Sequence, residues 1–288
     1  MIPAAEIRRA AANQRIDPMV VDLDYVQGCF LATLYRQQES AAFVFKGGTC
    51  LKKCYYADYR FSRDLDFTLT RRLSKDALVK LLDAVLAASA DEWEIELGAR
   101  PVKVDVVSDD YGKESYQVRL YYRGPWTWRK GARAIRLDVT ASEVLAFPTV
   151  ERTLLQPYSD AARLAEVRVP CYDLLEMVAE KVRALAGQRT HAISRDIYDI
   201  AQLVDRHNVD MARLAAAIPG KWKVKGLPMG PFDLGRLSER REEFRGDWER
   251  NLVDLLPADK IADFDTTWDR TQSFLCALNQ KWQGASES

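Results

Sequence analysis

Apolar side chains recur at helical spacing through residues 19–38 (MVVDLDYVQGCFLATLYRQQ), which predicts a long helix despite Gly28. AAFVF then reads as a short buried strand running into Gly47 and Gly48, and TCLKKCYY as a helix starting on Thr49, a residue type suited to a helix N-cap. DLDFTL, from Asp64, reads as a strand, and SKDALVKLLDAVLAAS as an amphipathic helix capped by Ser74. Between residues 93 and 147 the pattern becomes strand-like in WEIEL, VKVDVV, YQVRLYY and AIRLDVTAS, punctuated by Gly98, Asp109-Asp110, Gly112 and Gly124-Pro125. After about residue 170 the strand signal vanishes: CYDLLEMVAEKVRALAG, SRDIYDIAQLVDRHN, DMARLAAAI and segments near 240–256 and 260–283 read as helices. The expected fold is α+β and bilobed, with residues 1–165 forming a lobe of mixed β-sheet and helices and residues 166–288 a mainly helical lobe.

Successive strand side chains point to opposite faces, so Asp64 and Asp66 project together while Leu65 and Phe67 face the core. Two adjacent carboxylates repel, and a hard divalent ion such as Mg²⁺ or Mn²⁺ relieves the repulsion. Asp138 in RAIRLDVT is the candidate third ligand, because Ile135, Leu137 and Val139 share one face of that strand and Arg136 and Asp138 the other. A third acid at the same sheet edge would complete a two-metal clamp for phosphoryl transfer. Asp-x-Asp alone also suits a plain solvated strand face. The glycines add weight: strand, then Gly47-Gly48-Thr49, then helix leaves free backbone N–H groups at a helix start, which is a phosphate seat. Gly-Gly is also ordinary turn chemistry, and the segment is neither a Walker loop nor a dinucleotide fingerprint. Arg60 and Arg63 flank the Asp pair, either as phosphate contacts or as exposed charges at the start of the strand.

In the second lobe, Leu174, Leu175, Val178, Val182 and Leu185 share one helix face, with Lys181 at its edge and Glu176, Glu180 and Arg183 opposite. Lys181 can snorkel to water or point into a cleft between lobes toward a phosphate. On the next helix Ile193, Ile197, Ile200 and Val204 define the buried face, with Asp196 at its rim and Asp199 further round. Asp196 has three roles open: ion pairing with Lys181, ion pairing with Arg195, or helix capping.

Charge changes the picture only locally. Lys plus Arg and Asp plus Glu are both 42, so no net field draws the chain to a polyanion. Yet from Ser115 to Leu137 there is no acid, while Arg119, Arg123, Arg129, Lys130, Arg133 and Arg136 are interleaved with Tyr116, Tyr121, Tyr122, Trp126 and Trp128. Basic plus aromatic residues suit an unpaired RNA end, although several of these aromatics could equally be core. KWKVK at 221–225 is a second such run. The first residues lack a leader-type apolar region and no stretch is long enough for a membrane span, so no membrane partner and a cytoplasmic location are expected. The five cysteines read as reduced and structural, and His191 and His207 lack ligand spacing.

FKGGTCLKKCYY..YRFSRDLDFTL resembles the signature of the AbiEii/AbiGii toxin family within the minimal nucleotidyltransferase (DNA polymerase β-like) superfamily. That family's second pattern, E-K-x-x-A-L followed by R-D-x-Y-D, is matched by Glu180, Lys181, Ala184, Leu185, Arg195, Asp196, Tyr198 and Asp199. The resemblance covers about residues 40–206; Thr49 stands where many superfamily members have Ser, and the separation of Lys181 from the Asp pair varies among relatives. It implies a nucleotidyltransferase-fold catalytic lobe using an NTP and Mg²⁺ to transfer a nucleotide to an RNA acceptor, in characterised relatives the 3′ end of tRNA, as the toxin of a pair with an antitoxin protein. On this reading Asp64, Asp66, Asp138, Lys181 and Asp196 are catalytic, with Gly47, Gly48, Thr49, Arg63, Lys181 and Asp199 holding the nucleotide. Transfer to a protein hydroxyl, with Ser62 as a self-target, and a non-catalytic nucleotide-binding module are the alternatives.

Overall fold

The computed structural model describes residues 1–108, 114–140, 143–188 and 190–286, so Asp109-Asp110, Gly112 and the last two residues of AIRLDVTAS lie outside the described residues. The chain divides into two compact units, each discontinuous in sequence. The first comprises Met1–Glu143, Thr149–Tyr172 and Leu255–Asp259, and the second Val144–Pro148, Asp173–Asp254 and Lys260–Ser288.

The first unit opens with helices α1 (Ala4–Gln14) and α2 (Pro18–Tyr35). Asp17 starts α2 by accepting the Met19 N–H at 2.8 Å, with Pro18 pre-setting the first turn. Gly28 is tolerated inside α2 because a Cβ there would fall 1.5 Å from Gln156 Oε1; the close approach excludes any side chain. Strand β1 (Phe43–Lys46) leads into α3 (Gly47–Cys50), which continues as a widened helical turn over Leu51–Tyr55. The helix thus begins at Gly47 rather than at Thr49, and Lys46 occupies the N-cap position. Strand β2 (Asp64–Leu69) is followed by α4 (Lys75–Trp93), whose Ser74 cap accepts the Ala77 N–H as expected. Trp93 closes α4 and donates its indole N–H to Thr33 of α2 at 3.0 Å, so only Glu96–Leu97 of WEIEL forms strand β3.

Strands β4 (Lys103–Ser108), β5 (Glu114–Arg123) and β6 (Arg133–Thr140) match the alternating segments. Two strands escaped the sequence reading, β7 (Val150–Thr153) and β8 (Arg168–Cys171). Each has four residues, and β8 contains Pro170, which removes a ladder donor. The sheet runs β3-β5-β6-β2-β1-β8-β7, with β4 also on β5; β2–β6 and β1–β8 are parallel and the other pairs antiparallel. One face is core: Leu65, Phe67, Val118, Leu120, Ile135, Leu137 and Val139 are buried, while Arg119 and Arg136 on the opposite face are exposed.

The second unit is helical, with α5 (Leu174–Arg183), α6 (Ser194–Arg206), α7 (Met211–Val224), α8 (Leu234–Glu239), α9 (Arg241–Asp247) and α10 (Phe264–Ser286). The apolar face expected of α5 is buried, but so are Glu176 and Arg183, which had been assigned to the open side. Glu176 accepts the N–H groups of Ala146 and Phe147 at 2.9 Å each and pairs with buried Lys221, which also donates to the Val144 carbonyl at 2.9 Å. KWKVK therefore contributes an ion pair through Lys221 and core through Trp222, leaving Lys223 exposed. Among the described residues no helix is long and apolar enough to cross a membrane.

A buried ion pair tests the packing beneath α3. Lys53 is fully buried and reaches Asp24 Oδ2 at 2.7 Å, an oxygen that also accepts from the Tyr158 hydroxyl at 2.8 Å. Asp24→Ala leaves the Lys53 charge uncompensated in the core and should cost about 3–5 kcal/mol in denaturant unfolding; a loss under about 1 kcal/mol, the level of a surface pair, would contradict this placement.

Candidate active site

Register brings the carboxylates together. Asp66 and Asp138 are direct partners across the parallel β2–β6 pair, Asp64 lies opposite Arg136, and all three acids project from the face away from buried Leu65, Leu137 and Val139. Each is partly exposed. Burial pushes the Asp138 carboxyl above its ordinary value and the nearby Asp64 charge pushes it further, while Lys46 and Arg136 pull it down. The oxygens form no tight cage: among the described residues, the one trio whose ligand atoms all fall within 4.8 Å of one another is Cys50, Cys54 and Cys171, all buried. An open set of hard oxygens suits Mg²⁺ or Mn²⁺, because Mg²⁺ retains waters and takes one or two carboxylates together with substrate phosphates. The donor set therefore fits the ion that the sequence implied.

The glycine segment is fastened to this face. Gly47 has φ +79°, and a Cβ there would lie 2.2 Å from Asp66 Oδ2, so only a glycine lets the chain turn against that carboxylate. A Cβ on Gly48 would lie 2.5 Å from Nη2 of Arg60, which is buried beneath the loop rather than exposed at the start of the strand. The Thr49 hydroxyl donates to the Asp64 carbonyl at 2.5 Å and its side chain is buried. Thr49 thus ties α3 to β2, and that bond directs its hydroxyl proton at the backbone rather than at a ligand. Arg63 is exposed, and Ser62, the residue a self-modification would use, is buried.

Several polar neighbours were missed by the sequence reading. Lys46, directly before the glycines and opposite Asp66 on β1, lies 3.2 Å from Glu143 Oε2 and donates to Thr140 Oγ1 at 3.0 Å. Tyr172 shares a 2.7 Å hydrogen bond with Thr68 and donates to Glu143 at 3.2 Å. The available signal was strand parity, which places Lys46 on the same face as Asp66 once the β1–β2 register is known. Nothing in the sequence pattern ties Glu143 or Tyr172 to that face.

Within the second unit, Lys181 reaches Asp199 Oδ2 at 2.6 Å and Asp196 Oδ1 at 3.2 Å. Both acids are buried, Asp199 completely, so neither is a rim residue, and Lys181 is a partner of each. Asp196 does not cap α6, because the helix begins at Ser194 with Ile193 as N-cap. In the basic run, Arg119, Trp128, Arg129, Lys130 and Arg133 are exposed, whereas Tyr116 and Tyr122 are core. Arg123 pairs with Glu96 at 2.6 Å, and Lys130 sits 3.9 Å above the Trp126 ring.

Two substitutions probe the carboxylate face. Gly47→Ala should cost about 1–3 kcal/mol from backbone strain, with further loss from the clash against Asp66, measured by denaturant titration; an unchanged midpoint would contradict the close approach. Asp138→Asn tests the crowding. Between the ordinary carboxylate value and the raised folded one, the folded chain binds the proton more tightly than the unfolded chain, so stability falls as pH rises through that window. The variant should melt at a higher temperature than the parent at neutral pH, with the gap closing as pH falls below the ordinary value. A lower melting temperature at neutral pH would contradict it.

MenT4, a nucleotidyltransferase toxin from Mycobacterium tuberculosis, superposes with a TM-score of 0.65 at 22% identity, covering 98% of this chain and 93% of that one. JHP933 from Helicobacter pylori superposes with a TM-score of 0.57 at 16% identity, covering 94% of this chain and 97% of that one. These likenesses are of fold. No curated protein matches the sequence. The profile of the AbiEii nucleotidyl transferase toxins of type IV toxin–antitoxin systems matches residues 29–270, which include the glycine segment, the three carboxylates and the Lys181 cluster. The chain belongs to that family and is a nucleotidyltransferase toxin.

Proposed function

We propose that this toxin transfers a nucleotide from an NTP to an RNA acceptor, the tRNA 3′ end foremost, in a reaction that needs Mg²⁺ or Mn²⁺. It acts in the cytoplasm, blocks translation and growth, and is restrained by a cognate antitoxin protein. The observation that carries the reading is the in-register pairing of Asp66 with Asp138, with Asp64 on the same face and Gly47 packed against Asp66.

In this reading the N–H groups of Gly47 and Gly48 receive the triphosphate, and Thr49 holds that seat rigid through its bond to Asp64. Asp64, Asp66 and Asp138 hold the metal, which when bound neutralises phosphate charge and aligns the reacting oxygens. The acceptor hydroxyl attacks the α-phosphorus, forming a new P–O bond while the α–β bridge breaks and pyrophosphate leaves. Asp138 takes the hydroxyl proton, a role helped by its raised affinity for protons. Lys181, oriented by Asp196 and Asp199, supplies positive charge to the nucleotide, with Arg63 a further contact. Arg119, Arg123, Trp126, Trp128, Arg129, Lys130 and Arg133 are the proposed RNA-contacting set, and the exposure of Arg119, Trp128, Arg129, Lys130 and Arg133 supports those five most.

The test is incubation of the protein with each labelled NTP, Mg²⁺ and total tRNA, alongside expression of Asp66→Ala. Label should enter RNA with at least one NTP, and the variant should lose both labelling and growth arrest. No label in RNA with any NTP would remove the acceptor. Undiminished arrest by Asp66→Ala would remove nucleotide transfer as the toxic activity.

A further inference from the structure

The open face of the sheet carries a second ordered feature beside the carboxylates. Asp64 on β2 faces Arg136 on β6, Arg136 faces Arg119 on β5, and Arg119 faces Lys103 on β4. These four form one cross-strand row on the face away from the row Leu65, Leu137, Val118 and Val104, all buried. Arg136, Arg119 and Lys103 are exposed. With strands about 4.8 Å apart, the three cations extend roughly 14 Å from Asp64.

Such a row is unfavourable in isolation. Like charges directly opposite each other across strands destabilise a sheet. Among the described residues Arg119 and Arg136 form no ion pair with an acid, and only Lys103 at the far end has one, with Asp105 at 3.2 Å. The adjoining row contrasts with it, since Asp138 faces neutral Gln117, which faces Asp105. From β6 to β4 that adjoining row carries no cation, its one cation being Lys46 on β1 opposite Asp66, whereas the first row is cationic on all three strands and ends at Asp64. A line of cations suits a chain of evenly repeated anions, and guanidinium groups match phosphate geometry.

We infer that Arg136, Arg119 and Lys103 form a track for the sugar-phosphate backbone of a single-stranded acceptor end, leading its terminal hydroxyl to the Asp66–Asp138 pair. The inference rests on the proposed transfer to RNA and reassigns the contact surface. Of the basic run only Arg119 and Arg136 belong to the track, which gains Lys103. Arg123 is excluded by its pair with Glu96 and by its place outside the row.

The experiment measures binding of a labelled single-stranded RNA oligonucleotide to the full chain by fluorescence anisotropy across a salt series. Variants are Arg119→Ala and Arg119→Ala with Lys103→Ala, and Arg9→Ala, an exposed cation of α1, serves as control. Each cation removed from the row should lower the steepness of log affinity against log salt by about 0.7, and Arg9→Ala should leave it unchanged. In transfer assays the KM for RNA should rise in the row variants while that for NTP holds. Melting temperatures of the row variants should equal or exceed that of the parent, because like-charge contacts are relieved; this separates lost contacts from lost folding. Parental affinity and slope in the row variants, or no RNA binding by the parent, would overturn the track. Polyglutamate binding as tightly as RNA would also overturn it and assign the row to an acidic protein. If the variants lose RNA affinity but no RNA accepts a nucleotide, the transfer reading falls and the track stands. If RNA is labelled and the variants match the parent, the track falls and the transfer reading stands.

Discussion

Register between β1, β2 and β6 is the constraint on which the rest depends. A slip of one residue in β2 would exchange Asp64 and Asp66 for Leu65 and Phe67, burying two carboxylates and exposing two apolar side chains. The core face prevents this. Phe67 stacks on Phe45 with ring centroids 5.2 Å apart and meets Phe43 edge-on at 5.7 Å, while Leu65, Leu137 and Val139 are completely buried or nearly so. The apolar layer therefore does more than stabilise the first unit: it fixes which way the acids point. The Thr49 hydroxyl and the absent side chain of Gly47 then lock the glycine turn to the same strand.

The open face is held in an electrostatically unfavourable arrangement. Burial and the Asp64 charge disfavour ionised Asp138, and Arg119 and Arg136 oppose each other across β5 and β6. Both features lower stability in the free protein, and the proposed metal ion and RNA would each relieve one of them. Such strain at a functional face, set against a well-packed opposite face, is the usual division between activity and stability. Lys46 moderates it, sitting across from Asp66 while engaged with Glu143 and Thr140.

Much of this was legible from residue order, because single-faced burial leaves a period in the sequence. The alternation of DLDFTL and RAIRLDVT was enough to place Asp64, Asp66 and Asp138 on their faces, and the Ser74 cap was readable directly. What remained hidden was burial made possible by a distant partner. Glu176 and Arg183 lie on what looks like the solvent side of α5, yet Lys221 and the 144–148 segment bury Glu176. Asp199 was likewise set round from the apolar face until Lys181 is seen to pair with it. Strands β7 and β8 are too short to show a period and depend on their neighbours for pairing. Arg119 and Arg136 were legible as part of a basic run, but their alignment with Lys103 was not, since the three come from separate strands and meet only through register.

Titration of Mn²⁺ into the full chain, followed by electron paramagnetic resonance with and without a non-hydrolysable NTP analogue, tests the central claim most directly. The account predicts that the analogue tightens Mn²⁺ binding, and that Asp66→Asn and Asp138→Asn each weaken binding at least tenfold while the chain stays folded. Mn²⁺ held equally well by both variants, with no response to the nucleotide, would contradict it.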